Sequence, residues 1–293
     1  MHKSGFVNIV GNPNVGKSTL MNLFVGEKIS IATFKAQTTR HRIMGILNEE
    51  DVQIVFSDTP GVLKPNYKLQ QSMRNFSESA LVDADVLVYV TDPIEKIDKN
   101  SDFLEKVAKM EVPVILIINK IDLTNEQDLV KLVEEWHQIL PKADIVPVSA
   151  LAKFNVQPVL KRIKELLPES PPYFDKDQFT DKPARFFVSE IIREKILLYY
   201  DKEIPYSVEV GVEQFKEEPN VIHINAVIYV ERDSQKGIII GHKGMALKKV
   251  MTEARKSLEK FFGKSIYLES FVKVDKDWRN SDKELNLFGY NPE

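Results

Sequence analysis

The residues best suited to chemistry lie in a glycine-bounded stretch near the N-terminus, Gly11-Asn12-Pro13-Asn14-Val15-Gly16-Lys17-Ser18-Thr19. The apolar residues 6–10 before it predict a buried strand, and the apolar spacing after it predicts a helix. Glycines at both ends let backbone N–H groups turn inward toward a phosphate, at the positive end of that helix. In this arrangement the Lys17 ammonium lies between the β- and γ-phosphates and the Ser18 hydroxyl binds Mg²⁺. A chance match in a glycine turn is the alternative, which the strand–loop–helix context disfavours.

Two later stretches carry groups that suit the same ligand. Residues 29–43 are polar and basic without helical periodicity, and the hydroxyl of Thr38 or Thr39 can complete a Mg²⁺ shell there; a plain surface loop is the alternative. A strand predicted over 52–57 ends in Asp58-Thr59-Pro60-Gly61. Its carboxylate suits Mg²⁺, and its glycine N–H can approach a γ-phosphate closely. Alone this sequence is a common turn, and only its position after the phosphate loop favours the functional interpretation.

A third group of residues predicts which base is bound. A continuous apolar strand over 114–118 leads into Asn119-Lys120-Ile121-Asp122. The Asp122 carboxylate can accept both N1–H and the exocyclic amino group of guanine, a pair of donors that adenine lacks. Asn119 can join the base to the phosphate loop while the Lys120 stem covers the base face, and a backbone N–H of Ser149-Ala150-Leu151 can reach the guanine carbonyl oxygen. The alternative for Asp122 is a residue that caps the next helix, and both interpretations can hold together.

These groups need a common scaffold. Predicted strands alternate with predicted helices, and each candidate residue follows the carboxyl end of a strand. That is where an open, doubly wound α/β sheet binds its ligand. We therefore predict, over residues 1–170, a mainly parallel sheet that binds GTP or GDP together with Mg²⁺.

Composition limits what else the protein can be. The 293-residue chain is 43% hydrophobic and 28% charged, with a formal net charge of −3, which is typical of a globular protein of about two domains. That charge excludes overall basicity, so a nucleic-acid site must be a local patch. The chain has no cysteine, which excludes disulfides and thiolate catalysis. Because the first strand begins almost at once and no apolar run reaches ~20 residues, we expect no signal peptide and no membrane span, and a cytoplasmic location.

A proline-containing stretch marks a second domain. Pro168, Pro171 and Pro172 favour an extended connection, so we place a linker at 171–180 and the second domain at 181–293. That domain has the predicted order helix (187–200), strand (206–215), strand (221–231), short helix, long helix and strand (265–273), which is an α+β arrangement. Its helix-first order matches the type II KH domain.

A glycine-containing loop joins the last two predicted helices, Gly241-His242-Lys243-Gly244. It has the form of the Gly-x-x-Gly loop with which KH domains clamp a nucleic-acid backbone. Between residues 236 and 264 the chain has eight Lys or Arg residues, including Lys248 and Lys249, against two acidic residues. The long helix has a predicted core stripe of Leu247, Val250, Met251, Ala254, Leu258 and Phe261. Singly, a turn and a solvated basic face are the simpler interpretations; together these features predict binding of single-stranded RNA.

With these motifs the chain resembles the Era family of bacterial GTPases across essentially its whole length. The resemblance rests on residues 11–18, 35–42, 58–61 and 119–122, and in the second domain on 189–195, 205–208 and 241–244. It implies a monomeric factor in small ribosomal subunit assembly that binds the small-subunit RNA near its 3′ end, with Thr39 as a Mg²⁺ ligand. It also implies peripheral contact with the inner face of the cell membrane. The alternative function is a membrane-associated GTPase that couples growth state to cell division.

One position bears on catalysis. Val62 stands where many GTPases carry a Gln that orients the attacking water, and a valine side chain can neither donate nor accept a hydrogen bond. The chain resembles GTPases with a hydrophobic residue here, some of which bind a stimulating K⁺ through a phosphate-loop asparagine, here Asn14. We expect slow intrinsic hydrolysis carried by Lys17, Thr39, Gly61 and Asn14. An RNA-binding chaperone with a purely structural nucleotide site, and a lipid-recruited signalling GTPase, are the competing hypotheses.

Overall fold

In a computed structural model, which describes residues 1–290, the first part of the chain folds around a six-stranded sheet. The strands are β1 (Lys3–Gly11), β2 (Ile43–Asn48), β3 (Val52–Asp58), β4 (Val86–Thr91), β5 (Val114–Ile118) and β6 (Asp144–Pro147). They lie in the order β2-β3-β1-β4-β5-β6, and every neighbouring pair is parallel except the antiparallel pair of β2 and β3. The predicted doubly wound, mainly parallel sheet is confirmed.

Four α-helices lie between these strands in the chain, α1 (Lys17–Val25), α2 (Lys68–Ser79), α3 (Ser101–Ala108) and α4 (Glu126–Ile139), and α5 (Val156–Leu166) follows β6. Strand β4 is buried along its whole length and β5 is buried after its first residue, because helices cover both faces of a parallel sheet. In a parallel sheet the carboxyl ends of neighbouring strands lie at one edge. The loops that follow β1, β3 and β5 are therefore brought together by the topology alone.

The segment that follows α5 runs back along the free edge of this sheet. The Ile46 N–H donates to the Phe179 carbonyl over 3.0 Å, and the Met44 N–H donates to the Asp181 carboxylate over 2.9 Å. Residues 45 and 180 form an antiparallel bridge. The chain accordingly divides into a first unit of residues 1–66 and 70–181 and a second unit of residues 67–69 and 182–290. Residues 171–180, predicted as a linker, lie in the first unit.

The second unit contains α6 (Ala184–Tyr199), α7 (Ile204–Ser207), β7 (Glu209–Glu217), β8 (Val221–Val230), α8 (Asp233–Ile240), α9 (Met245–Phe262), β9 (Ser265–Val274) and α10 (Asp282–Leu287). Strand β8 is central, antiparallel to β7 and parallel to β9. Helices α6, α8 and α9 share one core with the sheet. The predicted order of elements is confirmed. The predicted second domain runs to residue 293, and residues 291–293 lie outside the described part of the chain.

The prediction that a strand begins at residue 206 is wrong, because α7 occupies 204–207. Pro205 suits the first turn of a helix, since its ring fixes φ and its missing N–H is not needed there. The Ser207 hydroxyl donates to the Ile204 carbonyl over 3.1 Å and closes the turn. A proline in that place also has no N–H to give to a sheet ladder. The strand therefore begins at Glu209.

A buried ionic cluster fixes the interior of the second unit. Arg193 is 0% exposed and donates twice to the Glu190 carboxylate, over 2.7 and 2.6 Å. The Tyr290 hydroxyl donates to buried Glu209. Buried charges of this kind persist only when they are paired.

Within residues 1–290, none of the helices combines the length and the hydropathy that crossing a membrane requires.

Candidate functional site

The loop between β1 and α1 needs glycine at both ends for steric reasons. Gly11 has a φ of +144°, and a Cβ there would lie 2.1 Å from the Val90 carbonyl oxygen. Gly16 has a φ of +100°, and a Cβ there would lie 2.2 Å from the Asn119 side-chain nitrogen. Both contacts are far shorter than atoms tolerate, so the loop is fitted between β4 and the segment that follows β5.

Lys17 lies across the concave side of this loop. Its ammonium donates to the carbonyls of Gly11, over 3.1 Å, and Asn12, over 2.8 Å, and the residue is 6% exposed. Burial lowers the pKa of Lys17 to about 8, although the carboxylates of Asp58 and Glu95 oppose that shift. A buried ammonium that donates its hydrogen bonds to neutral carbonyls favours an anionic ligand, because an anion would replace the stabilisation by water that burial removed.

Three oxygen-bearing side chains from separate parts of the chain meet beside Lys17. The Ser18 hydroxyl lies 2.6 Å from Oδ2 of Asp58 and 2.8 Å from the Thr39 hydroxyl, which itself lies 3.3 Å from Asp58 Oδ2. The other carboxylate oxygen, Asp58 Oδ1, is buried and makes no hydrogen bond of ordinary geometry within the described chain. Burial raises the pKa of Asp58 despite its hydrogen bond from Ser18. Hydroxyl and carboxylate oxygens grouped in this way fit Mg²⁺, which prefers oxygen ligands.

The structure also separates the two candidate threonines. The Thr38 hydroxyl donates to the Lys35 carbonyl over 2.5 Å and lies 2.7 Å from the Thr33 hydroxyl, inside its own loop. Thr39, one residue on, is 7% exposed and reaches Ser18 and Asp58. The residue types alone left both hydroxyls open, because neighbouring residues in an irregular loop have no periodicity that sets their direction, and the family resemblance favoured Thr39.

The segment 58–61 is fastened to its surroundings at several points. The Thr59 hydroxyl donates to the Ile9 carbonyl and the Ser77 hydroxyl donates to the Pro60 carbonyl, each over 2.8 Å. A Cβ on Gly61 would lie 2.5 Å from the Cα of Pro13, so only glycine can pack this closely on the phosphate loop. The Thr59 hydroxyl and the Pro60 carbonyl are thus both bonded to protein groups, while their assignment to the nucleotide-binding residues on sequence grounds stays a prediction. Gly61 remains beside the cleft.

Asn119 connects the three loops at this edge of the sheet. Its side-chain nitrogen donates to the Val15 carbonyl over 2.8 Å, and its oxygen accepts from the Ala150 N–H over 3.0 Å. Lys120 lies alongside and donates to the Asn14 carbonyl over 2.6 Å and to Asp92 over 2.7 Å. The phosphate loop and the segment 149–151 are therefore set in position through a single buried amide.

The Asp122 carboxylate stands at the open side of this arrangement. It is exposed, and Ser149 donates to its Oδ1 over 2.5 Å. The Leu151 side chain is 87% exposed. Asp122 lies within a short 3-10 turn, Ile121–Leu123, whereas α4 is capped by Asn125, whose side chain accepts from the Asp128 N–H. Asp122 therefore does not cap α4, and the capping alternative is wrong.

The cleft beside the phosphate loop has a volume of about 290 Å³ and includes residues that sequence reasoning missed. They come from the polar loop before β2: Ala32, Thr33, Phe34, Lys35 and Gln37. Phe34 is 75% exposed, and an aromatic residue in a polar loop was the one signal available. Conversely, the side chains of Asn12 (2% exposed) and Val15 (1% exposed) are buried, and neither residue is among those that line this cleft.

The glycine loop of the second unit has a backbone that requires its residue types. Gly241 has φ +70° and ψ 179°, and Gly244 has φ +75°. A Cβ on Gly241 would also lie 2.6 Å from the Cβ of Ala246. Between them Lys243 adopts a left-handed conformation, with φ +50°, and both His242 and Lys243 are exposed. The loop thus presents its main chain and two polar side chains to solvent.

Helix α9 continues this surface with basic residues. Lys248 and Lys249 are exposed, and the Lys249 ammonium lies 4.9 Å from the centre of the Tyr199 ring. Farther along, the basic residues are paired with acids one turn away, Arg255 with Glu259 and Lys256 with Glu253. The predicted stripe is confirmed for Val250, Met251, Ala254 and Leu258, which are buried. Phe261 is 38% exposed and stacks on Phe187, while Phe262 packs against the core.

Known proteins match both units. Residues 6–120 match the family described as 50S ribosome-binding GTPase, and residues 203–279 match the KH domain family. A crystal structure of Era in complex with MgGDPNP and nucleotides 1506–1542 of 16S ribosomal RNA is 39% identical over 100% of both chains, with a TM-score of 0.95. The chain belongs to the Era family. A variant of Era from Aquifex aeolicus, bound to GDP and AlF4⁻, is also 39% identical over 99% of this chain and 100% of its own, with a TM-score of 0.94.

Membership in the Era family confirms the predicted family and the predicted pair of domains. The fold similarity extends over both units, whereas each family match covers one of them. Era has been solved with a nucleotide, Mg²⁺ and RNA bound together.

Proposed function

We propose that the chain is a GTPase that binds GTP and GDP with Mg²⁺ in the cleft of the first unit. The observation that carries this proposal is the meeting of Ser18, Thr39 and Asp58 beside the buried Lys17 ammonium. A site with one cation and four grouped oxygens suits a metal-bound polyphosphate. Binding of MgGDPNP and of GDP with AlF4⁻ by Era proteins of 39% identity supports the same assignment.

Ser18, Thr39 and Asp58 would hold the Mg²⁺, which neutralises charge on the phosphates when it is bound. Lys17 supplies a further positive charge between the β- and γ-phosphates, and the Gly61 N–H donates to a γ-phosphate oxygen. Asp122 selects guanine by accepting its two adjacent donors, and Ser149 keeps that carboxylate in place. A main-chain N–H of residues 149–151 would donate a hydrogen bond to the guanine carbonyl oxygen.

Val62 gives the attacking water no polar partner, so we propose that Asn14 holds a K⁺ at the mouth of the cleft. Asn14 is exposed there, with a left-handed φ of +67° fixed by Lys120, which donates to its carbonyl. An amide oxygen is a suitable ligand for a hard monovalent cation. A positive charge at this point would do what an arginine finger does elsewhere. Hydrolysis remains slow, which suits a switch.

The second unit, on this proposal, binds small-subunit ribosomal RNA near its 3′ end through residues 241–244 and the adjoining Lys248 and Lys249. The support is the left-handed, glycine-flanked loop and its exposed positive charge. Era solved with nucleotides 1506–1542 of 16S RNA matches the whole chain, so it bears on this one more directly than the 50S description of the first family. We propose a role in small-subunit assembly, as a cytoplasmic monomer, with the two activities divided between residues 1–170 and 181–293.

Two measurements test this function. Multiple-turnover release of phosphate from GTP separates a switch from an RNA chaperone whose nucleotide is structural, since only the former releases more than one phosphate per protein. Crosslinking to ribosomal RNA in the GTP and GDP states, followed by mapping of the bound nucleotides, locates the RNA site. Crosslinks confined to other regions of the RNA would contradict the assignment. Pelleting with anionic liposomes, if it exceeded RNA binding at the same salt concentration, would favour the membrane-associated alternative.

A further inference from the structure

A buried pair of amide side chains lies behind the phosphate loop. Asn100 is 5% exposed, and its side-chain nitrogen donates to Oδ1 of Asn12 over 2.5 Å and to the Val62 carbonyl over 3.0 Å. Glu95, whose carboxylate accepts from the Thr91 hydroxyl over 3.0 Å, interacts electrostatically with the Asn12 side chain. Asn100 thereby joins the phosphate loop to the residue that follows Gly61.

The position of Asn100 in the chain makes this contact unusual. It is the N-cap residue of α3, where an asparagine side chain ordinarily accepts from the helix backbone. Here the side chain makes no capping hydrogen bond and turns into the protein. The helix start loses a stabilising interaction, so the inward contacts are what this side chain provides.

The N–H, the carbonyl and the side chain of Val62 are all fixed by their surroundings. Its N–H donates to the Gly11 carbonyl over 3.1 Å, its carbonyl accepts from Asn100, and its side chain is 1% exposed in the core. Ser77 holds the Pro60 carbonyl on the other side of Gly61. The backbone that presents the Gly61 N–H is thus fastened on both sides, and Asn100 is the fastening that also reaches the phosphate loop.

We propose that Asn100 is a positioning residue for GTP hydrolysis, which rests on the function proposed above. A protein with a polar side chain after Gly61 can orient water with that side chain. With Val62 there, the reaction depends on the fixed placement of the Gly61 main chain relative to the phosphate loop. Asn100 sets that spacing, because one amide nitrogen bonds to both segments. Within the described residues its side chain is not hydrogen-bonded to any of the proposed metal ligands, Ser18, Thr39 and Asp58.

The test compares three variants of the full chain. Asn100→Asp keeps the shape but removes both donors, Asn100→Ala removes the side chain, and Asn125→Ala removes a cap of α4 from outside the network. For each, kcat and KM for GTP, the affinities for GDP and for GDP with AlF4⁻, and the thermal midpoint are measured. We expect both Asn100 variants to lose kcat and AlF4⁻-complex affinity by about tenfold to a hundredfold, with GDP affinity within about twofold of the wild type. Asn125→Ala should lower the midpoint and leave kcat unchanged.

Several outcomes would overturn the proposal. Unchanged kcat in folded Asn100 variants would leave Asn100 a packing residue, and so would equal losses of GDP and AlF4⁻-complex affinity. Should neither variant fold, Asn100→Ser keeps one donor of shorter reach and must show the same selective loss of kcat. A wild-type chain without turnover would remove the proposed GTPase function itself, and the inference with it. That failure is distinguishable, because it is seen before any variant is compared.

Discussion

The two candidate sites are built in opposite ways. In the first unit the functional side chains are mostly buried: Ser18, Thr39 and Asp58 are hydrogen-bonded to one another, and Lys17 donates to main-chain carbonyls of the phosphate loop. In the second unit His242 and Lys243 are exposed, and what is fixed there is the backbone between two glycines. The first site therefore selects its ligand through individual atoms, whereas the second depends on main-chain shape and summed charge. Single substitutions should therefore act sharply in the first and by degrees in the second.

The sharpest test of atom-level selection is Asp122→Asn. The amide replaces one acceptor with a donor, so it opposes guanine and suits xanthine. We expect GTP affinity to fall on the order of 10³-fold and xanthosine triphosphate affinity to rise, as measured by competition binding. Asp128→Asn, on the exposed side of α4, is the matched control and should change neither. Full GTP affinity with no gain for xanthosine triphosphate would mean that the base is recognised elsewhere.

In the second unit we expect a smaller effect, even from two substitutions made together. Changing His242 and Lys243 to Asp places two carboxylates where RNA phosphates should lie, and Asp tolerates the left-handed φ of +50° at position 243. RNA affinity should fall on the order of 10²-fold in gel shifts, with GTP affinity unchanged. A neutral pair, His242→Asn with Lys243→Gln, separates lost donors from added repulsion and should cost less. Undiminished RNA binding by the double Asp variant, still folded by circular dichroism, would refute the KH assignment.

A smaller effect is expected from the cation. If Asn14 holds K⁺, turnover in K⁺ should exceed turnover in Na⁺ by about tenfold, because a fixed charge near the leaving phosphates lowers the barrier. Asn14→Ala should remove the difference between the salts and leave the Na⁺ rate in place. Phosphate release in matched chloride salts measures both. Equal wild-type rates in the two salts would end the proposal.

The smallest effect should come from the distal part of α9. Lys256 pairs with Glu253 over 2.8 Å and both are solvent-accessible, so Lys256→Ala should change RNA affinity by about twofold. Lys248 forms no ion pair within the described residues. Lys248→Ala should therefore lower the slope of RNA affinity against salt concentration by about 1. Salt titrations of the two variants, side by side, make the comparison. If Lys256→Ala had the larger slope change, the RNA path would run farther from the glycine loop than proposed.

Sequence reasoning succeeded where a residue's role depends on its immediate neighbours. Lys17, Ser18 and the glycines could be predicted because the strand, loop and helix that position them are contiguous. Residue chemistry alone did not separate Thr39 from Thr38, since the choice depends on Asp58 and on the path of an irregular loop; only the resemblance to the Era family favoured Thr39. Asn100 was missed altogether, because its partners at 12 and 62 are distant in sequence. Phe261 was placed in the core because a regular stripe ignores the end of the helix, where Phe262 packs inward instead.

The backbone contact between β2 and residues 179–181 has a consequence for how the protein is made. An uncovered edge strand offers unpaired N–H and carbonyl groups to any other chain that can add a strand. Here the cover for that edge is synthesised last in the first unit, immediately before the segment that becomes the second. A nascent chain released at residue 170 would carry a complete nucleotide cleft and an open edge. Such a fragment should self-associate, whereas one that ends after Asp181 should remain dispersed.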